Sequence, residues 1–325
     1  MRRGRLLLSS LLCAALAACG GSEPAPRPPV VAPPSRPAPV APEPPAPDPA
    51  PLRRSLASVD LETYYSRVQT DLLARGLLRT DGGGADTPVT DTMLQRNFER
   101  IALAEEYERG QGLRPSKGEL GRVKKWLKPV RVTAEFGTHV PADMQVQARN
   151  ELTGYVNRLA RITGHPIAMQ SSAANFHVLF MSEDDRAQIA PRIKALVPDV
   201  NPSALAIFDN LPRGVHCLVI AFSDTYNGHD YGQAIAVIRS EHPPLLRRSC
   251  IHEEVAQGLG LGNDSPQARP SIFNDDDEFA LLTSMDEKLL QILYDPRLKP
   301  GMDADTVRPI VQELATRLTA PPGSS

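Results

Sequence analysis

Between Pro24 and Pro51, 14 of 28 residues are proline, close to half of the 32 in the chain. A proline ring fixes φ and removes a backbone donor, so neither helix nor sheet can run through such a stretch. It favours extended polyproline II instead, and 28 residues at about 3.1 Å each reach roughly 90 Å. A P-x-x-P ligand is the alternative use of this composition; a spacer is the expected one. The fold must come from the residues after it. With 36 basic and 38 acidic residues, the formal charge of −2 argues against a dedicated nucleic-acid binder. Only 22 Gly and 4 Cys among 325 residues exclude collagen-like and disulfide-dense classes. No run of about 18 apolar residues exists, which excludes a polytopic membrane protein.

The chain opens with Arg2, Arg3 and Arg5, followed by an apolar stretch from Leu6 to Ala18. This reads as a secretory signal, too short to span a bilayer as a mature helix. It ends in Leu16, Ala17, Ala18 and Cys19, which resembles a bacterial lipobox at all four positions. Cleavage would leave Cys19 as an acylated N-terminus; the alternative is an ordinary cut after Ala18 with a free thiol. Multiple acyl chains suffice for stable anchoring. Gly20, in place of Asp, points by resemblance to the outer membrane, facing the periplasm. Losing the leader's three arginines takes the formal charge to −5.

Five segments are expected: a signal at 1–18, the lipidated Cys19 with its tether at 19–52, a helical lead-in at 53–118, a main domain at 119–302, and a C-terminal helix and tail at 303–325. In the lead-in, Leu61, Tyr64, Tyr65, Val68 and Leu72 recur at helical spacing, and Thr90 caps a second helix carrying Leu94, Phe98 and Ile101. The main domain changes rhythm to α/β (α+β). Strands are predicted at 130–136, 167–170, 176–181, 215–222 and 234–239, with a long helix at 142–162. Short helices fall near 183–196 and 202–209, a central helix at 244–259, and two more at 285–294 and 303–318. With Cys13 removed and Cys19 lipidated, Cys217 and Cys250 remain in an oxidising compartment. They form either one disulfide or two buried thiols.

The central helix carries His252, Glu253 and Glu254. A zincin helix needs His at i and i+4, and position 256 is Ala, so the register from His252 fails. His252 reads instead as a packing residue beside Ile251, Val255 and Leu259. Zinc held by His252 with His242 or His229 lacks supporting spacing. One register later, Glu253, Glu254, Gln257, Gly260 and Asn263 occupy the five positions of H-E-x-x-H-x-x-G-x-x-H. The spacing matches and the three histidines do not. Oxygen donors suit hard cations better than zinc, so the expected cofactor is a divalent cation, if any, with zinc disfavoured. Only Glu254, in the general-base position, keeps its chemistry. Plain solvated helix charges are the other reading of this face. Asn274 to Glu278 form an acidic run that could join Asp264 around calcium or stay a solvated loop. Met285 lies where a metzincin carries its Met-turn, or simply in the core. Basic residues Lys117, Arg122, Lys124, Lys125, Lys128 and Arg131 near Trp126 form either a solvated face or an anion-binding one.

Five stretches together are similar to the bacterial proteins grouped as domain of unknown function 2927: Trp126–Arg131, Asn175–Phe180, Cys250–Ser265, Ser271–Asp276 and Leu293–Met302. The resemblance spans about 119–302 and implies an envelope location. More distantly, the layout is similar to metzincin peptidases, which implies a mixed sheet of about five strands, a long helix, a central motif helix and a C-terminal helix.

Two functions from different classes follow. One is a non-catalytic, membrane-anchored periplasmic protein that binds an envelope protein or peptidoglycan through the cleft above the central helix. The other is a hydrolase with Glu254 as general base and Glu253, Gln257, Asn263 and Asp264 orienting water or a cation. The sequence leaves open whether the chain is an enzyme.

Overall fold

A computed structural model describes residues 52–107, 113–225, 228–274 and 276–321. The expected signal, Cys19, nearly all of the tether, and Asp275 lie outside the described residues.

Leu179 marks the middle of the fold. It lies in β4 (Phe176–Met181), whose six residues are all buried. Such an unbroken apolar run marks a strand covered on both faces. Its neighbours are β2 (Val130–Phe136) and β6 (Asp230–Arg239), both parallel to it, with Val178 opposite Ala134 and Ala236. Beyond β2 lies β3 (Ile167–Met169), also parallel. Strand β6 also pairs with β1 (Lys125–Trp126), parallel at Asp230 and Tyr231, and with β5 (Cys217–Ser223), antiparallel along most of its length; Tyr231 is opposite both Trp126 and Ser223, so β1 and β5 lie on opposite sides of β6. Among the described residues the sheet therefore has six strands, with β5 as the antiparallel member. The extra strand is β1, only two residues long and below the length at which alternation can be read.

Strand alternation sorts the apolar residues into two layers. Val178, Phe180, Ala234, Ala236 and Ile238 face the larger core, covered by α3 (Ala142–Thr163), α6 (Pro244–Gln257), α7 (Ser284–Leu293) and α8 (Ala304–Thr319). Leu179, Met181, Ile235, Val237 and Leu218 face a smaller core with Ile189 and Ile193 of α4 (Arg186–Leu196) and Phe208, just beyond α5 (Pro202–Ala206). Helix α3 buries Ala148, Leu152, Tyr155 and Leu159 along one stripe and stops at Gly164 in the left-handed region (φ 64°). Pro244 starts α6 at its first turn.

The lead-in contains α1 (Leu56–Ala74) and α2 (Asp91–Phe98), capped by Ser55 and Thr90. A π-turn over Glu99–Leu103 follows α2. Leu94, Phe98 and Ile101 are fully buried in the larger core beside Val307, Val311 and Leu314 of α8. Helix α1 seats Tyr65 and Leu72 against Leu246 and Ala280. The expected helical character ends at Ala104. Residues 104–107 and 113–124 are irregular apart from isolated bridges, in keeping with Pro115, Gly118 and Gly121.

Cys217 of β5 and Cys250 of α6 form a disulfide across 33 positions, fastening the sheet's antiparallel edge to the central helix. Closing a loop of that length stabilises by about 3–4 kcal/mol in the chain-entropy model. Cys250→Ser should lose that amount in urea denaturation and match wild type treated with a dithiol. A loss below about 1 kcal/mol would show that β5 is held by packing alone.

Candidate functional site

The site is organised by how closely α6 approaches the sheet. A Cβ on Gly258 would meet the Phe176 ring of β4 and one on Gly260 would meet the Lys124 carbonyl. Both contacts demand glycine. Gly260 also has φ +124°, which side chains rarely adopt. The end of the helix is tied from two sides: Trp126 Nε1 donates to Gly258 O at 2.8 Å and Tyr294 Oη donates to Leu259 O at 2.8 Å. The helix thus ends at Gln257, two residues before the expected Leu259, and the chain reverses through Gly260.

That reversal brings Asp264 back to the helix. Gln257 Nε2 donates to Asp264 Oδ1 at 3.2 Å. Asn263, the expected third position, turns the other way: its Nδ2 donates to Arg100 O at 2.7 Å in the π-turn. Glu254 and Gln257 are buried and Glu253 is half-buried. The structure therefore gathers Glu253, Glu254, Gln257 and Asp264, and leaves the Asn263 amide on a backbone carbonyl.

The acids repel one another. Burial pushes the Glu253 and Glu254 carboxyls well above the usual range, and the charges of Asp264 and Glu106 raise both further. Burial and the adjacent Glu106 likewise raise Tyr107. Glu254 Oε2 is buried with no hydrogen-bond partner. One carboxyl oxygen each from Glu253 and Glu254 lies within 4.8 Å of the other and of Cys217 Sγ. These are the residues closest to a cation-binding arrangement among those described, although the disulfide occupies the sulfur.

Above Gln257 and Gly260 opens a cleft of about 410 Å³. Its walls include Val219 and Phe222 of β5, Ala204 of α5, and Tyr107 and Leu113 from the irregular segment. Glu253 and Glu254 do not line it. This cleft was not foreseen in residue detail, because the wall residues come from segments that no shared motif joins.

The remaining candidates have structural partners. His252 stacks on Tyr155 (centroids 3.9 Å, 11°), and its Nδ1 accepts from Leu282 N at 3.0 Å. Burial lowers its pKa to about 3. His242 packs edge-on to Tyr65. Met285 is fully buried, with Asn97 Nδ2 at 3.2 Å from its sulfur. In the acidic run, Glu278 pairs with Arg269 (2.6 Å) and Arg79 (3.1 Å), while Asn274 and Asp276 accept from backbone amides within the turn. The basic cluster is split: Lys124 and Lys125 turn inward, while Lys117, Arg122 and Lys128 are exposed. Lys124 pairs with Glu105, buried Lys125 donates to the Leu293 and Asp295 carbonyls, and Arg122 donates to Gly301 O.

Two consequences are measurable. Gly260→Ala should cost about 2–4 kcal/mol, combining backbone strain with a clash against a carbonyl that cannot retreat; unchanged stability would mean the reversal is not constrained. The second concerns Glu254. The unfolded chain ionises it near 4.5, while the fold holds it protonated to higher pH. The fold therefore binds more protons in that window, and stability falls as pH rises through it. Glu254→Gln, neutral throughout, should melt a few degrees above wild type at pH 8 and converge with it near pH 4. Parallel curves would contradict a buried, protonated Glu254.

A family model described as "Protein of unknown function (DUF2927)" matches residues 91–313, wider than the 119–302 span of the motifs. No curated protein and no solved structure matches the chain. The match takes in α2, the π-turn, the whole sheet and α6 to α7, together with most of α8, and on it the chain belongs to the DUF2927 family.

Proposed function

We propose that this chain is a lipid-anchored envelope protein whose folded part binds an extended peptide segment of a periplasmic partner or of peptidoglycan in the cleft along β5. The observation that carries this reading is the cleft itself. It follows a strand that pairs on one side only, with β6, and it combines that edge with apolar walls. An edge strand beside an apolar groove takes up an extended chain by continuing the sheet, and side-chain pockets add selectivity. Lipobox-like residues before Cys19 and the proline tether support anchoring at the periplasmic face of the outer membrane.

The metzincin-like reading of the scaffold is part of the same proposal. Motif spacing from Glu253 to Gly260 and the glycine reversal at Gly260 support it, although Asn263 turns away to the Arg100 carbonyl. The chemistry at these positions favours binding over hydrolysis. A general base must be ionised and must reach the substrate. Burial raises the Glu254 pKa well above the ordinary carboxylate range, which opposes ionisation, and Glu254 does not line the cleft. One observation favours the hydrolase alternative, with Glu254 as the reacting group: its unpartnered oxygen. In that case Glu254→Gln would abolish turnover of a peptide that wild type cleaves.

The test is site-specific photocrosslinking in cells. Probes at Asn201 and Ser223, on the cleft rim, should capture a discrete protein or glycan-peptide adduct. A probe at Glu62 on α1 should not, and Ala204→Trp, which narrows the cleft, should remove the adducts. Equal crosslinking from Glu62, or adducts that survive Ala204→Trp, would refute the cleft as the binding surface.

A further inference from the structure

We propose that the Cys217–Cys250 bridge gates a metal site: once a dithiol reduces it, the Cys217 thiolate joins the carboxylates of Glu253 and Glu254 to hold a divalent transition metal of the zinc type. This is independent of what the cleft binds.

The geometry starts from the bridge. Cys250 precedes Glu253 and Glu254 by three and four positions on α6, so all three share one side of the helix. The disulfide places the Cys217 sulfur over that side. Sγ and one oxygen of each glutamate consequently lie within 4.8 Å of one another. A tetrahedral centre with bonds of about 2.0–2.3 Å sets its ligand atoms roughly 3.5 Å apart, so closing the set takes side-chain shifts of about 1 Å. A second observation points to a ligand at the same place. Glu254 is only 4% exposed, and its Oε2 has no partner. A buried oxygen of that kind is normally satisfied, by water or an ion where no protein group reaches it. A dication would also relieve the repulsion that Asp264 and Glu106 add to the pair.

Two carboxylates alone make a poor site for a soft or borderline metal, and a disulfide sulfur carries no charge to offer. Reduction changes the donor set. Cys217 is the more exposed partner of the bridge, half-buried against 3% exposure for Cys250, so attack is directed to Cys217. One thiolate of the dithiol forms a bond to Cys217 Sγ while the Cys217–Cys250 bond breaks, and Cys250 leaves and is protonated. The second thiolate closes the reductant's own disulfide and releases Cys217. Two electrons and two protons pass from the dithiol to the cysteines. Metal binding then displaces the Cys217 proton, and any on the two carboxyls, to water. Cys250 stays outside the ligand set as a thiol, with His242 Nδ1 at 3.7 Å from its sulfur.

Cobalt(II) is the probe, because thiolate ligation gives a near-ultraviolet charge-transfer band. The oxidised protein should show none. Wild type reduced with a dithiol that is then removed under anaerobic conditions, and Cys250→Ser without any reductant, should each bind one equivalent with the band. Cys217→Ser should lack it. Glu253→Gln or Glu254→Gln in the Cys250→Ser background should weaken binding at least tenfold. The proposal fails if neither Cys250→Ser nor the reduced chain shows the band, if Cys217→Ser retains it, or if both glutamine variants bind as tightly as their parent. A cooperative urea transition of Cys250→Ser and of the reduced chain is measured alongside. A chain that unfolds on loss of the bridge has no such site, and that result also overturns the proposal.

Discussion

The contact between α6 and the sheet governs everything around it. Gly258 lies on the Phe176 ring and Gly260 on the Lys124 carbonyl, and no larger residue fits either place. Trp126 and Tyr294 fill the space beside these glycines and satisfy the carbonyls of Gly258 and Leu259. Helix termini leave carbonyls without intrahelical partners, and here two buried aromatic donors take part of that role. The disulfide fixes the helix on its other side to β5. With both sides held, the direction of every side chain on the last two turns is set, including the acids.

Those acids are an unusual thing to enclose. A buried carboxylate without a cation is unfavourable, and it usually responds by holding its proton. Burial raises the pKa of both Glu253 and Glu254, and the charges of Asp264 and Glu106 add to the rise. A neutral side chain of the same shape would avoid that cost. The arrangement therefore separates two features that metal-dependent peptidases unite. The cleft is open and largely apolar, while the acids lie one turn away behind Gln257.

How much of this could be read in advance depended on the range of the signal. The continuous apolar run of Phe176–Met181, the alternation of Val130–Phe136 and the stripe of Ala148, Leu152, Tyr155 and Leu159 are local, and each element appears where it was expected. His252 as a packing residue followed from its place beside Ile251 and Val255. Two-residue β1 and the irregular stretch after Ala104 were not legible, because each is defined by partners far along the chain. At the site, spacing anticipated a reversal at Gly260 but pointed to Asn263 as the residue that returns. The structure brings Asp264 to Gln257 instead, because the Asn263 amide is captured by the Arg100 carbonyl. A motif register counts residues; it does not record which of two neighbours a distant carbonyl will claim.

The binding role proposed for the cleft rests on one side chain: Glu254 as an enclosed acid whose ionisation burial opposes and which does not line the cleft. Carbon-13 NMR of the glutamate side-chain carboxyls, assigned through Glu254→Gln, reads this directly. A Glu254 carbon that keeps the chemical shift of the neutral acid at pH 7 is the result the account predicts. An ionised carboxylate at pH 7, titrating in the ordinary range near 4.5, would contradict it and return Glu254 to the role of a base.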